Sequence, residues 1–231
     1  MRRAASLPAL LAATLAAGSL AACGAPAAYD PGKVLRDAGH AMAGTTTVTA
    51  NAAFGPGAQS FGFTLVSAHG SFHRPADSDT TVKARRGDAV VDFEVITLAS
   101  RTYLKVPLLG WQDLTGSSEL SALPDFGRLL DATSGLPGVL PTGTGATAMG
   151  HESVDGHDCY KLAAGFTADQ VAQVITVLKP TGPIHATMWV DASSSLLRRI
   201  RLEGALYDSN QSSLDVHFRD FGAAVTIAKP V

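Results

Sequence analysis

The chain has 231 residues, 46% of them hydrophobic and 16% charged, and its formal net charge is −2 at pH 7. This length is enough for one domain with a sizeable core. The charge excludes a strongly basic surface of the kind that binds nucleic-acid backbones. Two cysteines allow one disulfide at most, and if one of them is modified, the fold must be held together by packing alone.

The first segment, residues 1–22, resembles the leader of a bacterial lipoprotein. Two arginines near its start are followed by a stretch rich in leucine and alanine at 7–20, which is the order of an export signal. This stretch is shorter than the roughly 20 apolar residues that a membrane-spanning helix needs. We therefore expect the segment to be removed rather than kept as an anchor.

A lipobox closes this leader. We expect signal-peptidase recognition at Leu20, Ala21 and Ala22, and lipidation of the thiol of Cys23. In bacterial lipoproteins, which the leader resembles, this cysteine receives a diacylglycerol and becomes the first residue. Two acyl chains such as palmitate hold firmly where one holds marginally. The mature chain is therefore expected on the extracytoplasmic face of the plasma membrane, the alternative being a plain signal peptide followed by a buried cysteine.

Residues 23–29 form a short tether to a single domain predicted at 30–231. At about 3.4 Å per residue the tether reaches at most about 24 Å, so the domain is expected close to the membrane. Loss of the two leader arginines takes the formal charge from −2 to −4. Cys159 is then the remaining thiol, and its place in an alternating run predicts a small buried residue rather than a reactive one.

The domain is predicted to begin with one helix and a set of strands. Asp30 and Pro31 have the order of an N-cap and a first helical residue, and the helix should end near Gly44. From residue 45 the apolar period changes to two, which indicates antiparallel strands with one apolar face. These strands are predicted at 48–54, 61–65, 80–86, 89–96 and 102–106, with a bulge near 67–70.

The region between 107 and 150 breaks the strand pattern. A helix at 125–132 and a glycine-rich loop at 133–140 predict an element that covers the sheet. Strands then resume, and a capping box that begins at Thr167 predicts a helix running to 179–180. The strands of this second half are predicted at 158–164, 184–191, 196–207, 212–221 and 223–229.

The sequence contains no catalytic motif and no metal-ligand spacing. His157 and Cys159 share a strand face but lack a third orienting group, and the seven histidines are scattered. We therefore predict neither catalytic residues nor a metal site, with a hydrolase as the less favoured alternative. Arg198 has the inward parity of its strand. It could meet a lipid head group at a cavity mouth, but snorkelling to water is the favoured interpretation.

The order of the elements and several short stretches resemble the LppX/LprAFG lipoproteins of mycobacteria and related actinobacteria. The stretches lie at 125–130, 135–140, 154–156, 160–162, 186–191 and 197–200. The resemblance implies an α+β fold, in which a strongly curved antiparallel β-sheet, or half-barrel, has helices over its concave face and encloses a hydrophobic cavity. It also implies binding of acylated lipids or glycolipids and their transfer from the plasma membrane toward the outer envelope. No enzymatic step, cofactor or nucleic acid is implied, and a membrane exporter would be a further partner.

The inward parity of strands and helices supplies candidates for the cavity lining. They are Val48, Phe54, Phe63, Leu65, Val82, Phe93, Leu104, Leu129, Leu130, Val139, Val174, Leu178 and Met188. Four small residues of the same parity leave volume and favour a cavity, namely Ala50, Ala52, Ala84 and Ala186. Without the resemblance, a solid core remains the alternative. It would suit a lipid-anchored accessory subunit of an exporter, and a signalling ligand for host receptors is a third alternative.

Overall fold

The computed structural model describes residues 29–60, 62–98, 100–106, 108–117, 127–176, 178–207 and 210–230. The leader, the lipobox and Cys23 lie outside these residues, as does the start of the helix predicted at 125–132. Within the described ranges, no helix combines the length and the apolar character needed to cross a membrane.

A large β-sheet dominates the described residues, together with a few short helices. The α-helices are α1 (Pro31–Gly44), α2 (Leu136–Val139) and α3 (Ala168–Val174), and 3-10 turns span Gly127–Leu130 and Leu140–Thr142. The first strands are β1 (Thr47–Phe54), β2 (Gln59–Ser60), β3 (Phe63–His73), β4 (Asp77–Arg86), β5 (Ala89–Leu98), β6 (Arg101–Val106) and β7 (Gly110–Asp113). The later strands are β8 (Thr144–Val154), β9 (His157–Phe166), β10 (Ile184–Asp191), β11 (Leu197–Tyr207) and β12 (Asn210–Arg219).

The strands of the described chain form one antiparallel sheet in the order β7-β6-β5-β4-β3-β1-β12-β11-β10-β9-β8, with β2 paired to β3. Two meanders, one from each half of the chain, are joined where β1 pairs with β12. Because β7 and β8 end this order without pairing to each other, the sheet is open rather than closed into a barrel.

The sheet is curved, and the helices lie on its concave face. Thr80 of β4 and Phe166 of β9 border the same cavity, although six strand spacings separate β4 from β9 in the sheet order. At about 4.8 Å per spacing, a flat sheet would place these strands about 29 Å apart. The sheet must therefore bend, as the predicted half-barrel requires.

Helix α1 begins and ends where the sequence predicts. The Asp30 carboxylate accepts two backbone N–H groups of the first turn, at 2.9 and 3.1 Å. At the other end, Arg74 donates to the backbone carbonyls of Thr45 and Met42, at 2.7 and 3.3 Å. These bonds satisfy backbone groups that a helix end leaves unpaired. The face of α1 that packs on the core consists of Val34, Leu35, Ala38, Gly39 and Met42.

Helix α3 starts as predicted but ends early. The capping box is present, because Thr167 accepts the backbone N–H of Gln170 and the Gln170 side chain accepts that of Thr167. The helix ends at Val174 instead of continuing to 179–180. The backbone N–H of Lys179 donates to the Leu206 carbonyl of β11 at 3.0 Å, so pairing with a distant strand replaces further helical turns.

Other boundaries were also predicted wrongly, each for a physical reason. Strands β7 and β8 replace part of the expected covering loop, and β8 is mostly exposed as an edge strand, so it lacks apolar alternation. The strand expected at 223–229 is irregular, since β12 already has β1 and β11 on its two sides. The described part of the helix expected at 125–132 is the 3-10 turn Gly127–Leu130.

Candidate functional site

An apolar cavity of about 60 Å³ lies between the concave face of the sheet and the segments that cover it. The sheet contributes Ala50, Ala52, Phe54, Ala68, Gly70, Phe72, Thr80, Phe166, Ile200, Leu202, Leu214, Val216 and Phe218. The covering segments contribute Leu129, Leu136, Val139, Leu140, Gln170, Val171, Val174 and Ile175. Nearly all of these side chains are apolar, so the cavity offers hydrocarbon-like surroundings.

Small residues at the centre of the sheet make room for this cavity. Ala50 on β1 lies opposite Gly70 on β3 and opposite Phe218 on β12. One row further along the same face, Ala52 lies opposite Ala68. Protein interiors are otherwise close-packed, so a patch of short side chains under a covering layer leaves a void that longer ones would fill.

The covering layer is held by close packing around two glycines. In α1, a Cβ atom added to Gly39 would lie 2.6 Å from Cγ of Pro141 and 2.9 Å from the carbonyl oxygen of Pro137. In α2, a Cβ atom added to Gly138 would collide with the carbonyl oxygen of Thr133. Only glycine allows these backbones to approach so closely. The cover is therefore a defined layer with its own packing.

Asp131 organises the loop that leads into α2. Its Oδ1 accepts the backbone N–H groups of Ser134 and Thr133, at 2.6 and 2.9 Å, and the hydroxyl of Ser134 at 2.8 Å. These bonds to Ser134 and Thr133 lower the pKa of Asp131 from its usual value. The ionised Asp131 carboxylate therefore fixes the conformation of the loop.

The cavity has a buried end and a partly exposed end. Thr80 lies in the row of Ala50 and is 1% exposed. Phe54 lies four residues further along β1 than Ala50, a distance of about 13 Å. Its side chain is half-buried, and so are those of Gln170 and Ile175 in the cover. We call Phe54, Gln170 and Ile175 the mouth of the cavity.

Among the described residues, one polar group in the lining has no hydrogen-bond partner. The Gln170 amide is already occupied, because it accepts the Thr167 N–H at 2.7 Å and donates to the Thr142 hydroxyl at 2.9 Å. The Thr80 hydroxyl, by contrast, is buried without a hydrogen-bond partner among the described residues. A buried unpaired hydroxyl costs about 1–3 kcal/mol, so a ligand oxygen at this end of the cavity would be stabilised.

The cavity is small for a lipid. Its volume of about 60 Å³ is well below the roughly 300–1,000 Å³ of sites that hold drug-sized ligands. At about 10–15 Å³ per water, it has room for about four to six water molecules. A multi-acylated lipid therefore fits only if the cover moves outward.

Four of the thirteen predicted lining residues border the cavity, namely Phe54, Leu129, Val139 and Val174. Six others belong to the buried core around the cavity but do not line the cavity, namely Val48, Leu65, Val82, Leu130, Leu178 and Met188. Phe63 and Phe93 pack against that core with ring centroids 5.1 Å apart, and Leu104 belongs to a separate cluster with Val95. Strand parity predicted the inward face, but the register decides which rows meet the cavity.

The main omission from the predicted lining is β12. Leu214, Val216 and Phe218 all border the cavity, and they alternate with polar residues as the other inward strands do. That alternation was a usable signal. Their position beside the alanines of β1, however, follows from pairing between the two ends of the domain, which no local pattern shows.

Cys159 is buried, as predicted, in a small cluster with Val154 and Trp189. Burial raises the pKa of its thiol to about 11, and the nearby Asp191 carboxylate adds to the shift. The thiol is therefore protonated at neutral pH, which makes it a poor nucleophile. The Nδ1 atom of His157 lies 3.0 Å from the Asp191 carboxylate instead. In the part of the chain that the structure describes, no three His, Cys, Asp or Glu side chains are grouped to hold a metal ion.

Arg198 lies neither at the mouth nor free in water, so both interpretations of its parity were wrong. Its Nη2 and Nε donate to the Asp191 carboxylate at 2.9 and 3.1 Å, and its guanidinium lies 5.1 Å from the ring centroid of Phe221. Burial alone would raise the pKa of Asp191, but hydrogen bonds from Ser193, Ser194 and Arg198 outweigh it and hold that pKa well below its usual range. This cluster stabilises the turn between β10 and β11.

A sequence profile of the LppX_LprAFG lipoproteins matches residues 30–227 of the chain. The chain belongs to the LppX/LprAFG lipoprotein family. This confirms the resemblance that the short stretches predicted. As a member of this family, the protein is a lipoprotein of the cell envelope.

Two relatives of this LppX/LprAFG member are lipoarabinomannan carrier proteins named LprG. The protein from Mycolicibacterium smegmatis is 29% identical over 106 residues, which cover 46% of this chain and 43% of that protein. The one from Mycobacterium leprae is 24% identical over 156 residues, which cover 67% of this chain and 62% of that protein. The chain thus matches less than two thirds of the length of either relative.

Solved structures of LppX/LprAFG lipoproteins share the fold. LprF from Mycobacterium bovis superposes with a TM-score of 0.71 at 19% identity, covering 90% of this chain and 99% of that one. LppX from Mycobacterium tuberculosis gives a TM-score of 0.60 at 20% identity, covering 87% and 100%. The likeness confirms the predicted fold class, a large open antiparallel sheet with few helices.

Proposed function

We infer that this protein is a non-enzymatic carrier that binds the acyl chains of a lipid or glycolipid between its curved sheet and its cover. The observation that supports this most is the apolar cavity, with the unpaired Thr80 hydroxyl at its buried end. The names of the LprG relatives, lipoarabinomannan carrier proteins, agree with a glycolipid cargo. The direction we propose is from the plasma membrane toward the outer envelope.

The energetics explain why such a cavity is useful. A lipid with about 30 methylenes would lose about 24 kcal/mol of burial on entering water, at about 0.8 kcal/mol each. An apolar cavity replaces most of that burial, so extraction from a bilayer becomes nearly balanced. Acyl chains offer no hydrogen bonds, and selectivity would rest on cavity shape and on groups such as the Thr80 hydroxyl.

Loading requires the cover to separate from the sheet. Two hydrogen bonds between described residues link α3 to the rest of the cover, with Gln170 donating to the Thr142 hydroxyl at 2.9 Å and Gln173 donating to the Thr133 carbonyl at 3.3 Å. We place the opening at the mouth, between Phe54 at the end of β1 and Ile175 after α3. Movement there widens the partly exposed end and leaves the glycine-packed contact of α1 with α2 in place.

The membrane anchor that we propose is a diacylglycerol on Cys23, which would hold the domain on the extracytoplasmic face of the plasma membrane. Tyr29, where the described chain begins, is fixed to the domain by hydrogen bonds of its hydroxyl with the Lys161 carbonyl and the Met149 N–H. From Tyr29 back to Cys23 the chain reaches at most about 20 Å. The cavity would therefore work within reach of its own leaflet, and an exporter or another acceptor would be needed for release.

Extraction of bound lipid tests the proposal. The mature chain without Cys23, residues 24–231, contains the whole described sheet and core, and it should be purified from an actinobacterial host, extracted with organic solvent and examined by mass spectrometry. We expect acylated lipids or glycolipids in near-stoichiometric amounts. A protein that releases no lipid, and takes up none from mixed micelles, would refute the carrier function.

A second candidate function is an accessory subunit of an exporter that carries no lipid of its own. The small volume of the cavity favours it, because about 60 Å³ is close to what an imperfectly packed core could leave. The same extraction separates the two functions. An accessory subunit would release no lipid and would instead co-purify with a membrane protein complex.

A further inference from the structure

Exposed apolar side chains gather at the tips of two hairpins on one half of the sheet. Leu108 and Leu109 lie in the turn between β6 and β7 and are 105% and 71% exposed. Val90, beside the turn between β4 and β5, is 54% exposed. Packing within the described domain accounts for none of them, since side chains this open bury almost nothing. We call Val90, Leu108 and Leu109 the apolar tips.

The conformation of the β6–β7 turn keeps these leucines outside. Leu108 has a φ of 69°, and Gly110, two residues later, has a φ of 74°. A left-handed conformation is unfavourable for a leucine, and a polar residue such as asparagine would tolerate it better. A leucine that is both fully exposed and in this conformation contributes nothing to folding, which points to contact with something outside the chain.

The apolar tips lie at the same end of the sheet as the mouth of the cavity. Because β1, β4 and β6 run in one direction, the turns after β4 and β6 are at the end where β1 finishes at Phe54. The register places Ala53, Ser67, Lys83 and Asp92 in one row across four strands. Measured along the strand direction, the positions of Phe54 and Val90 therefore differ by no more than about two residues, or about 7 Å.

Basic side chains accompany the apolar tips. Arg85 and Arg86, at the end of β4, are exposed, and Arg85 lies directly opposite Val90. Asp88 in the intervening turn offsets one of these charges. Leucines flanked by arginines match a bilayer with anionic head groups, because apolar side chains enter the acyl region while basic ones attract the surface.

We propose that the apolar tips, with Arg85 and Arg86, form a membrane-contact surface that seats the mouth of the cavity against an anionic bilayer. The inference rests on the proposed function, because a carrier must meet a bilayer to load. A lipid could then move from leaflet to cavity without crossing bulk water. The tether agrees with this placement, since about 20 Å of chain between Cys23 and Tyr29 keeps the domain near its own leaflet.

Vesicle flotation of the chain 24–231 tests this surface. Wild type should float with phosphatidylcholine vesicles that contain phosphatidylglycerol, and less with phosphatidylcholine alone. The double variant Leu108→Asn with Leu109→Ser should lower the partition coefficient about tenfold or more, because both apolar side chains are lost. The control Met149→Ser removes an exposed apolar residue from the opposite edge strand and should change nothing.

The variant Arg85→Gln with Arg86→Gln tests the electrostatic part. Each basic residue near an anionic surface contributes about fivefold in binding, so this variant should lose most of its preference for phosphatidylglycerol. In urea unfolding, the leucine variant should be at least as stable as wild type, because asparagine suits the left-handed conformation at position 108 better than leucine does. The arginine variant should lose a little stability, because the Arg86 guanidinium lies 5.7 Å from the ring centroid of Phe63. A tip variant that floats like wild type overturns the proposal, and so does a wild type that ignores vesicles but self-associates through the tips.

A loading assay separates this inference from the carrier function. Tip variants should take up lipid from detergent micelles as wild type does, yet load more slowly from vesicles. If wild type floats through its tips but never loads lipid from either source, the contact surface stands and the carrier function fails. If the tip variants load from vesicles at the wild-type rate, the surface has no part in loading and the proposal is refuted.

Discussion

Filling the cavity should stabilise the lipid-free protein and weaken lipid binding at the same time. Ala50 borders the cavity and faces Gly70, which has no side chain, on the neighbouring strand. Ala50→Ile adds three carbons there and keeps a residue type that suits a strand. The opposite is expected in a solid core, where added carbons force side chains apart and destabilise by about 1–3 kcal/mol.

The magnitude follows from the cavity itself. An empty volume of about 60 Å³ costs about 1.4 kcal/mol at roughly 24 cal/mol per Å³. Three added carbons would gain at most about 2.4 kcal/mol of burial, at about 0.8 kcal/mol each. We therefore expect the free energy of unfolding of the lipid-free protein to rise by about 1.5 kcal/mol, since the gain cannot greatly exceed the cost of the void. A lipid displaced from the same volume loses about 2.4 kcal/mol, or about 50-fold in affinity.

Urea unfolding of delipidated protein measures the first effect, with a midpoint shift of about 0.5–1.5 M. Native mass spectrometry of lipid occupancy measures the second. Ala186→Ile is the matched control, because Ala186 is also buried in the core but does not border the cavity. It should destabilise without weakening lipid binding. If Ala50→Ile destabilises as Ala186→Ile does, and lipid occupancy is unchanged, the cavity is not the binding site.

Four further predictions concern single residues. Thr80→Val, which removes the unpaired hydroxyl, should raise the stability of the lipid-free protein by about 1 kcal/mol while lowering lipid affinity, by the same two assays. Gly39→Ala should lower the free energy of unfolding by about 1–3 kcal/mol, because the added methyl group meets Pro137 and Pro141, and should speed proteolysis of residues 131–143. The control Gly44→Ala has nothing within 4 Å of the added methyl group and should have neither effect. Asp191→Asn should cost about 3 kcal/mol at pH 7 by breaking a buried ion pair, measured by urea unfolding. Cys23→Ser should yield a protein without acyl groups, measured by intact mass.

The pH dependence of stability follows from the lowered pKa of Asp191 and of Asp131. A carboxylate whose pKa is lower in the folded state stabilises the fold above its unfolded pKa of about 3.9 and loses that effect as the pH falls below it. Stability should therefore decline from about pH 5 downward, and Asp191→Asn should flatten the decline. An unchanged acid slope in Asp191→Asn would contradict this origin, and acyl groups on Cys23→Ser would rule out Cys23 as the anchor.

Elements whose signals lie within a few residues were predictable. The N-cap of α1 at Asp30 and the capping box of α3 at Thr167 follow from side chains that bond to backbone two or three residues away. The turn at 154–156 is equally local, with Asp155 and Gly156 both at positive φ. Parity along the strands predicted the inward face for the same reason, because side chains of a strand alternate whatever its neighbours are.

Elements that depend on a neighbour were not predictable. Edge strand β8 is exposed and has no apolar period, so only its pairing with β9 makes it a strand. The end of α3 depends on the bond between Lys179 and Leu206 of β11. Strand parity indicated on which face Arg198 lies but not which residue it binds. Its partner Asp191 is brought beside it by the turn between β10 and β11.

The sequence by itself determined the family, the inward face of most strands and the starts of two helices, because these depend on side-chain order along the chain. The lipid anchor at Cys23 stays a prediction from the sequence. The tertiary structure alone decided where the cavity lies. Pairing of β1 with β12 places Ala50 and Ala52 beside Phe218 and Val216, and pairing with β3 adds Gly70 and Ala68. A void forms only where short side chains from several strands meet under one cover, and the register that brings them together joins residues far apart in the chain.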